Sequence, residues 1–261
     1  MPLLATGEIT TYYEFEAAPQ RSALLLSNSL GTDLSMWDPQ AVQFAKHFSL
    51  LRYDTRGHGR SSVPPGPYRI EQMSRDVIEL LDGLKLDRVH FCGLSMGGMV
   101  GQWLALHAPE RLLSLVLADT TAKSDDEDFW NGHIRTALEK GMDFVVPGFV
   151  EGWFTEAFRS KCPGSVERIA AVFRSVSPEG FAACCAALRE MDQSADTAKI
   201  SVPTQVVYGK YDPATPPAES KFLLHSIAGS EELQLDGAHL SNIEATDAFT
   251  KGVIDFLLRH D

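Results

Sequence analysis

The chain has 261 residues, 44% hydrophobic and 22% charged, with 35 acidic against 23 basic residues and a net charge of −12. These are values of an ordinary globular chain, one large domain or one domain with an insertion, and they exclude a disordered or low-complexity protein. An acidic surface repels phosphate backbones and anionic bilayers, which argues against nucleic acid and membranes as partners.

The first residues lack the basic and apolar regions of a secretory signal. Short apolar runs at residues 23–27, 48–53, 88–92 and 112–117 then read as strands, and 204–208 and 231–235 follow far downstream. Continuous apolar runs of this length suit strands buried on both faces. Between them lie helical patterns. Ile70, Met73, Val77, Leu80, Leu81 and Leu84 recur at helical spacing, and residues 243–258 close the chain in the same way. Strand–helix alternation implies an α/β fold, a mostly parallel sheet with helices on both faces.

The alternation stops between residues 121 and 197, where Trp130, Trp153 and several phenylalanines sit in helical patterns. This segment is expected to be a helical cap inserted into a core made of residues 1–120 and 198–261. Its acidic run, Asp125-Asp126-Glu127-Asp128, reads as a solvated helix start. Residues 89–109 carry no charged side chain, yet His90, Ser95, Gln102 and His107 interrupt the stretch and Gly97-Gly98 splits it. A strand, a tight turn and a buried helix fit better than a membrane span. The cysteines, at 92, 162, 184 and 185, form no C-x-x-C pair, so reduced thiols and a cytoplasmic location are expected, with no metal.

Gly93-Leu94-Ser95-Met96-Gly97 is G-x-S-x-G between a strand and a helix. A sharp turn there strains the serine backbone and needs small neighbours, and the helix that follows points free N–H groups at the serine. A chance glycine turn would carry the same letters, but not this placement. For a base, His239 follows the last strand, at the sheet edge that also carries Ser95, where open α/β sheets place their sites. His58, in Asp54-Thr55-Arg56-Gly57-His58-Gly59, is its rival, although that loop reads as structural with Arg56 pairing locally. His90 and His107 read as core or surface residues. For the orienting acid, Asp212 follows the strand ending at Tyr208-Gly209, with Asp119 as the alternative and Asp236 serving its own turn. The oxyanion would be held by the Met96 N–H and, from the loop after residues 23–27, the Leu30 N–H.

Together Gly93-Leu94-Ser95-Met96-Gly97-Gly98, Asp54-Thr55-Arg56-Gly57-His58-Gly59 and the Asp212 and His239 loops resemble the α/β-hydrolase superfamily. The order Ser95, Asp212, His239 is the one that superfamily shows. Leu26-Ser27-Asn28-Ser29-Leu30-Gly31-Thr32-Asp33 and Ala238-His239-Leu240-Ser241-Asn242-Ile243-Glu244 are similar, more narrowly, to the 3-oxoadipate enol-lactonase family, in which Asn28-Ser29 replaces the usual His-Gly pair. The resemblance spans nearly the whole chain and is weakest in the insertion. It implies hydrolysis of 3-oxoadipate enol-lactone to 3-oxoadipate in aromatic breakdown, with a small lactone as partner and no cofactor. Another cofactor-free esterase, a carbon–carbon bond hydrolase, or a ligand receptor on the same fold are the alternatives. A haloalkane dehalogenase would carry Asp where Ser95 stands.

The lactone carries an acetate side chain, so the cap should supply its receptor. Among Arg135, Arg159, Arg168, Arg174 and Arg189, the sequence favours Arg189 and Arg135, which lie beside apolar residues in helical patterns. Trp153 is expected as a flat wall or indole N–H donor, with packing inside the cap as the other reading.

Overall fold

The computed structural model describes residues 2–124 and 126–261. Among these, eight strands form one sheet: β1 (Leu3–Thr6), β2 (Ile9–Glu16), β3 (Ala23–Ser27), β4 (Ser49–Tyr53), β5 (Val89–Leu94), β6 (Leu112–Ala118), β7 (Thr204–Gly209) and β8 (Glu231–Leu235). Their order is β1-β2-β4-β3-β5-β6-β7-β8. Strands β3 to β8 run parallel, whereas β2 lies antiparallel to both β1 and β4. The apolar runs of β3, β5 and β7 are buried along their whole length, as coverage on both faces requires.

Helices α1 (Asp38–Phe44), α2 (Ile70–Gly83), α3 (Met96–His107), α9 (Pro217–Ser226), α10 (Ser241–Glu244) and α11 (Thr246–Leu257) surround the sheet. Helix α2 packs against α3, and α1 against α11. The uncharged stretch 89–109 is β5, a sharp turn and α3, and among the described residues no helix is long and apolar enough to cross a membrane.

The strand after β3 lies on one side of it and β5 lies on the other. Connections that leave in opposite directions open a crevice at the carboxyl ends of β3 and β5. Small residues close this crossing. A Cβ on Gly93 would meet the Gly97 carbonyl oxygen at 2.2 Å, and one on Gly97 would meet the Ser27 carbonyl oxygen at 2.3 Å. The serine turn and the loop after β3 therefore touch backbone to backbone.

Among the described residues five α-helices separate β6 from β7: α4 (Glu127–Lys140), α5 (Val146–Trp153), α6 (Glu156–Lys161), α7 (Pro163–Arg174) and α8 (Pro178–Arg189). The two ends of this cap meet at a neck, where Ser124 N–H donates to Met191 O (3.1 Å) and Gln193 N–H to Ala122 O (2.8 Å). Asp126 caps α4, its side chain accepting from Phe129 N–H, and Asp126, Glu127 and Asp128 are exposed, as a solvated helix start requires; Asp125 lies outside the described residues. Inside the cap, Phe149 meets Trp153, Phe173 and Phe181, and the Trp153 and Phe173 rings stack at 5.0 Å.

Two features depart from the sequence reading. The β1–β2 hairpin lies at the sheet edge, where β2 is only half-buried and offers no continuous apolar run. The closing helix is also two helices. Ala245 leaves helical geometry (φ −113°, ψ 44°) between α10 and α11, next to Glu244, whose side chain accepts hydrogen bonds from Thr155 and Ala238.

Candidate active site

Ser95 sits between β5 and α3 with φ 56° and ψ −116°, a strained conformation that pushes its hydroxyl out of the turn. The turn is over-determined. Ser95 N–H donates to Ala118 O (2.9 Å), and Thr120 Oγ1 donates to Ser95 O (2.8 Å). The serine is buried, 8% exposed, and its hydroxyl lies 3.0 Å from His239 Nε2.

His239 follows β8, and its Nδ1 is 2.8 Å from Asp212 Oδ2. A carboxylate cannot donate, so Nδ1 carries the proton and Nε2 is left to accept from Ser95 Oγ–H. Asp212 follows β7 and is itself held by Ala214 N–H (2.8 Å), Thr215 N–H (3.0 Å) and Thr215 Oγ1–H (2.7 Å). Burial pulls the imidazole pKa down. The charge of Asp212, its hydrogen bond and the charge of Asp119 together outweigh burial, so the net direction is up.

The alternatives weighed from sequence have other partners. Asp119 accepts from Gly209 N–H (2.8 Å) and Ser241 Oγ–H (2.5 Å), which ties the end of β6 to both the Asp212 loop and the His239 loop. Burial, with the neighbouring Asp212, pushes Asp119 up to about 8. His58 is buried, and its Nε2 already accepts from Gly31 N–H at 2.9 Å. Arg56 makes a two-pronged pair with Asp76 of α2, both contacts 2.6 Å, so it pairs across the fold and not within its own loop. His90 is core, His107 is exposed, and Asp236 is an exposed partner of Lys210.

An accounting of N–H groups separates the residues after β3. Ser29 N–H reaches Met36 Sδ (3.3 Å), Gly31 N–H reaches His58, and Thr32 N–H reaches Ser29 O (3.3 Å). Leu30 N–H has no acceptor among the described residues, like the Asn28 and Asp33 N–H groups of the same loop, nor does Met96 N–H in the first turn of α3. Asn28 braces this loop by donating to Tyr53 O (2.7 Å) and accepting from Trp37 Nε1–H (3.0 Å).

Trp153 is 2% exposed and stacked on Phe173, and its indole N–H has no hydrogen bond to a described residue. Its carbonyl accepts from Leu240 N–H (3.0 Å), next to His239. Two residues on, Thr155 N–H donates to Glu244 Oε2 (3.1 Å), which also takes Ala238 N–H (3.1 Å), and Thr155 Oγ1 donates to Glu244 Oε1. Both neighbours of His239 are thus fastened to the cap. The cap arginines do not join this group. Arg189 Nη1 donates to Asn131 (2.6 Å) and its Nη2 pairs with Glu190 (2.9 Å), while Arg135 is exposed on α4. Among the described residues no bond connects either one to Ser95, His239 or Trp153, because α4 and α8 pack on each other and leave both side chains at their outer margin.

Sequence reasoning did not pick out Thr215, Glu244 or His133. Thr215 had a local signal, an Asp followed three residues later by Thr, the pattern of a side chain that caps its own turn. Glu244 acts over 89 residues of chain and had none. His133 lies in the cap against Phe129 and Phe149, and burial holds its pKa down.

The chain belongs to the α/β-hydrolase family: the family model described as "alpha/beta hydrolase fold" matches residues 22–155. Its relatives narrow the comparison. A 3-oxoadipate enol-lactonase of Acinetobacter baylyi is 40% identical over 250 residues, covering 96% of this chain and 94% of its own. The crystal structure of an enol-lactonase from Burkholderia xenovorans LB400 is also 40% identical, with a TM-score of 0.97 over 98% of this chain and 100% of that one. A hydrolase from Pseudomonas aeruginosa is 43% identical, with a TM-score of 0.95 over 98% and 97% of the two chains.

Proposed function

We propose that this chain hydrolyses 3-oxoadipate enol-lactone to 3-oxoadipate in the β-ketoadipate pathway of aromatic catabolism, using Ser95, His239 and Asp212 and no cofactor. One observation carries the reading. An unbroken hydrogen-bonded line runs from Asp212 through His239 to the strained Ser95, and the adjoining turns carry Leu30 and Met96 N–H, which have no acceptor among the described residues. The enol-lactonase relatives, alike over nearly the whole chain, direct it to that substrate class.

In this reading Ser95 Oγ attacks the lactone carbonyl carbon as its proton passes to His239 Nε2. Leu30 and Met96 N–H groups hold the oxyanion of the tetrahedral intermediate. Collapse breaks the bond to the ring oxygen, which leaves as an enolate, takes the proton from His239 and becomes the ketone. A water molecule then gives its proton to His239 and attacks the acyl-serine; the bond to Ser95 Oγ breaks as His239 returns the proton to that oxygen, releasing the second carboxylate. Residues 121–197 act as the cap over this chemistry. Trp153 is assigned to the substrate, since its indole N–H is uncommitted. Arg189 is already neutralised by Glu190, and Arg135 faces solvent, so neither suits the carboxylate. The reading includes a cytoplasmic location, which the four free thiols fit.

The test is hydrolysis of the enol-lactone against simple p-nitrophenyl esters at matched concentrations. A kcat/KM for the lactone at least about a hundredfold higher is expected, roughly 3 kcal/mol of transition-state discrimination. Equal rates would leave a general esterase, and no turnover of either would leave a receptor.

A further inference from the structure

His58 is buried in the loop after β4 and takes no part in the line from Asp212 to Ser95. Its surroundings specify one protonation state. Nδ1 lies 3.3 Å from the Arg56 carbonyl, which can only accept, so Nδ1 carries the proton. Nε2 is then a bare acceptor, and Gly31 N–H fills it at 2.9 Å. Burial favours the same neutral form, lowering the pKa to about 4.

The bond falls at a sensitive place. Gly31 has φ +76°, and a Cβ there would strike the Phe173 ring of α7 at 2.5 Å, so the loop is threaded between core and cap. Holding Gly31 back fixes the peptide that joins it to Leu30. The imidazole is itself braced. Arg56 is clamped to Asp76, Cys184 of α8 approaches the Arg56 carbonyl at 3.7 Å, and Gly180 of α8 packs against Gly57. A cap helix, a salt bridge and the loop after β3 thus converge on one ring.

We propose that His58 is a positioning residue for the oxyanion site: its neutral Nε2 captures Gly31 N–H and so presents Leu30 N–H to the carbonyl oxygen at Ser95. This rests on the assignment of Leu30 as an oxyanion donor. Such donors act on the transition state, and losing one costs about a hundredfold to a thousandfold in kcat. A displaced donor should cost part of that.

The experiment compares wild type, His58→Phe, which keeps the shape and loses the acceptor, and His58→Gln, whose amide oxygen can stand in for Nε2. Turnover is expressed per serine titrated with a fluorophosphonate, and phenylboronic acid reports affinity for a tetrahedral adduct. His58→Phe should lower kcat about tenfold to a hundredfold with KM within about twofold, weaken the boronate in parallel, and be largely restored in His58→Gln. Unchanged kcat per titrated serine, or a Gln variant as impaired as Phe, would overturn the proposal. If His58→Phe does not fold, ¹⁵N-histidine spectra of the wild type decide. His58 must remain the Nδ1–H tautomer with and without boronate, and a doubly protonated or Nε2–H ring overturns it. A wild type that binds no boronate instead rejects the Ser95 oxyanion reading itself.

Discussion

The α/β core and the helical cap meet at His239, yet they are held by different forces. In the core, each residue around Ser95 is fixed by directional bonds. Three donors fasten Asp212, two bonds fasten the Ser95 turn, and the loop after β3 is fastened bond by bond. In the cap, Trp153 is positioned by rings, stacked on Phe173 and edge-on to Phe149. Hydrogen bonds fix atoms to a few tenths of an ångström, which proton transfer needs. Ring packing fixes volume and shape and tolerates substitution of similar size. In the proposed function the core therefore carries the chemical step and the cap chooses what reaches it.

That contrast predicts where substitutions strike. Ser95→Ala should lower kcat by a factor on the order of a million while far-ultraviolet circular dichroism and Tm stay near wild type. Near-normal turnover in the folded variant would remove the core from the chemistry. Asp212→Asn should cost about ten-thousandfold in kcat, because an amide can offer Nδ1 a donor and stabilise the wrong tautomer. Asp119→Asn keeps an oxygen for Gly209 N–H and should cost far less, about tenfold. The reverse ranking in steady-state kinetics would make Asp119 the working acid.

Cap substitutions should divide differently. Trp153→Ala removes a fully packed ring and should lower stability by about 3–5 kcal/mol in urea unfolding, with KM raised. Trp153→Phe keeps most of the stack. If it also keeps KM for the lactone, the indole N–H has no part in binding and the wall role alone remains.

The smallest effect concerns pH. In the proposed mechanism His239 acts as a base only when neutral, so kcat/KM should rise with pH as the imidazole loses its proton. The charge of Asp212 and its hydrogen bond favour the charged form and place that midpoint above the ordinary histidine value of 6.5. Removing negative charge at Asp212 must move the midpoint down, measurable on the residual activity of Asp212→Asn. An upward movement or none would mean that burial, not the carboxylates, governs the ring.

That Ser95, Asp212 and His239 come together is legible in the sequence because each sits at the end of a strand whose apolar run is legible, and parallel strands bring those ends to one edge. The elbow glycines are legible for a related reason, since only small residues survive a backbone contact near 2.2 Å from a would-be Cβ. Leu30 follows from its place after β3. The rest depends on which loops face each other. Whether His58 or His239 has a free nitrogen turned on the position of Gly31 N–H, 27 residues away. Whether Asp119 or Asp212 meets the ring turned on Gly209 and Ser241 claiming the former. The cap arginines could not be ranked at all, because an arginine in an amphipathic helix looks the same whether it faces a pocket, a glutamate or water. Local pattern determined the elements and the order of the strand ends; only the packed structure decided how each donor and acceptor there was spent, because hydrogen bonds across tens of residues leave no period in the chain.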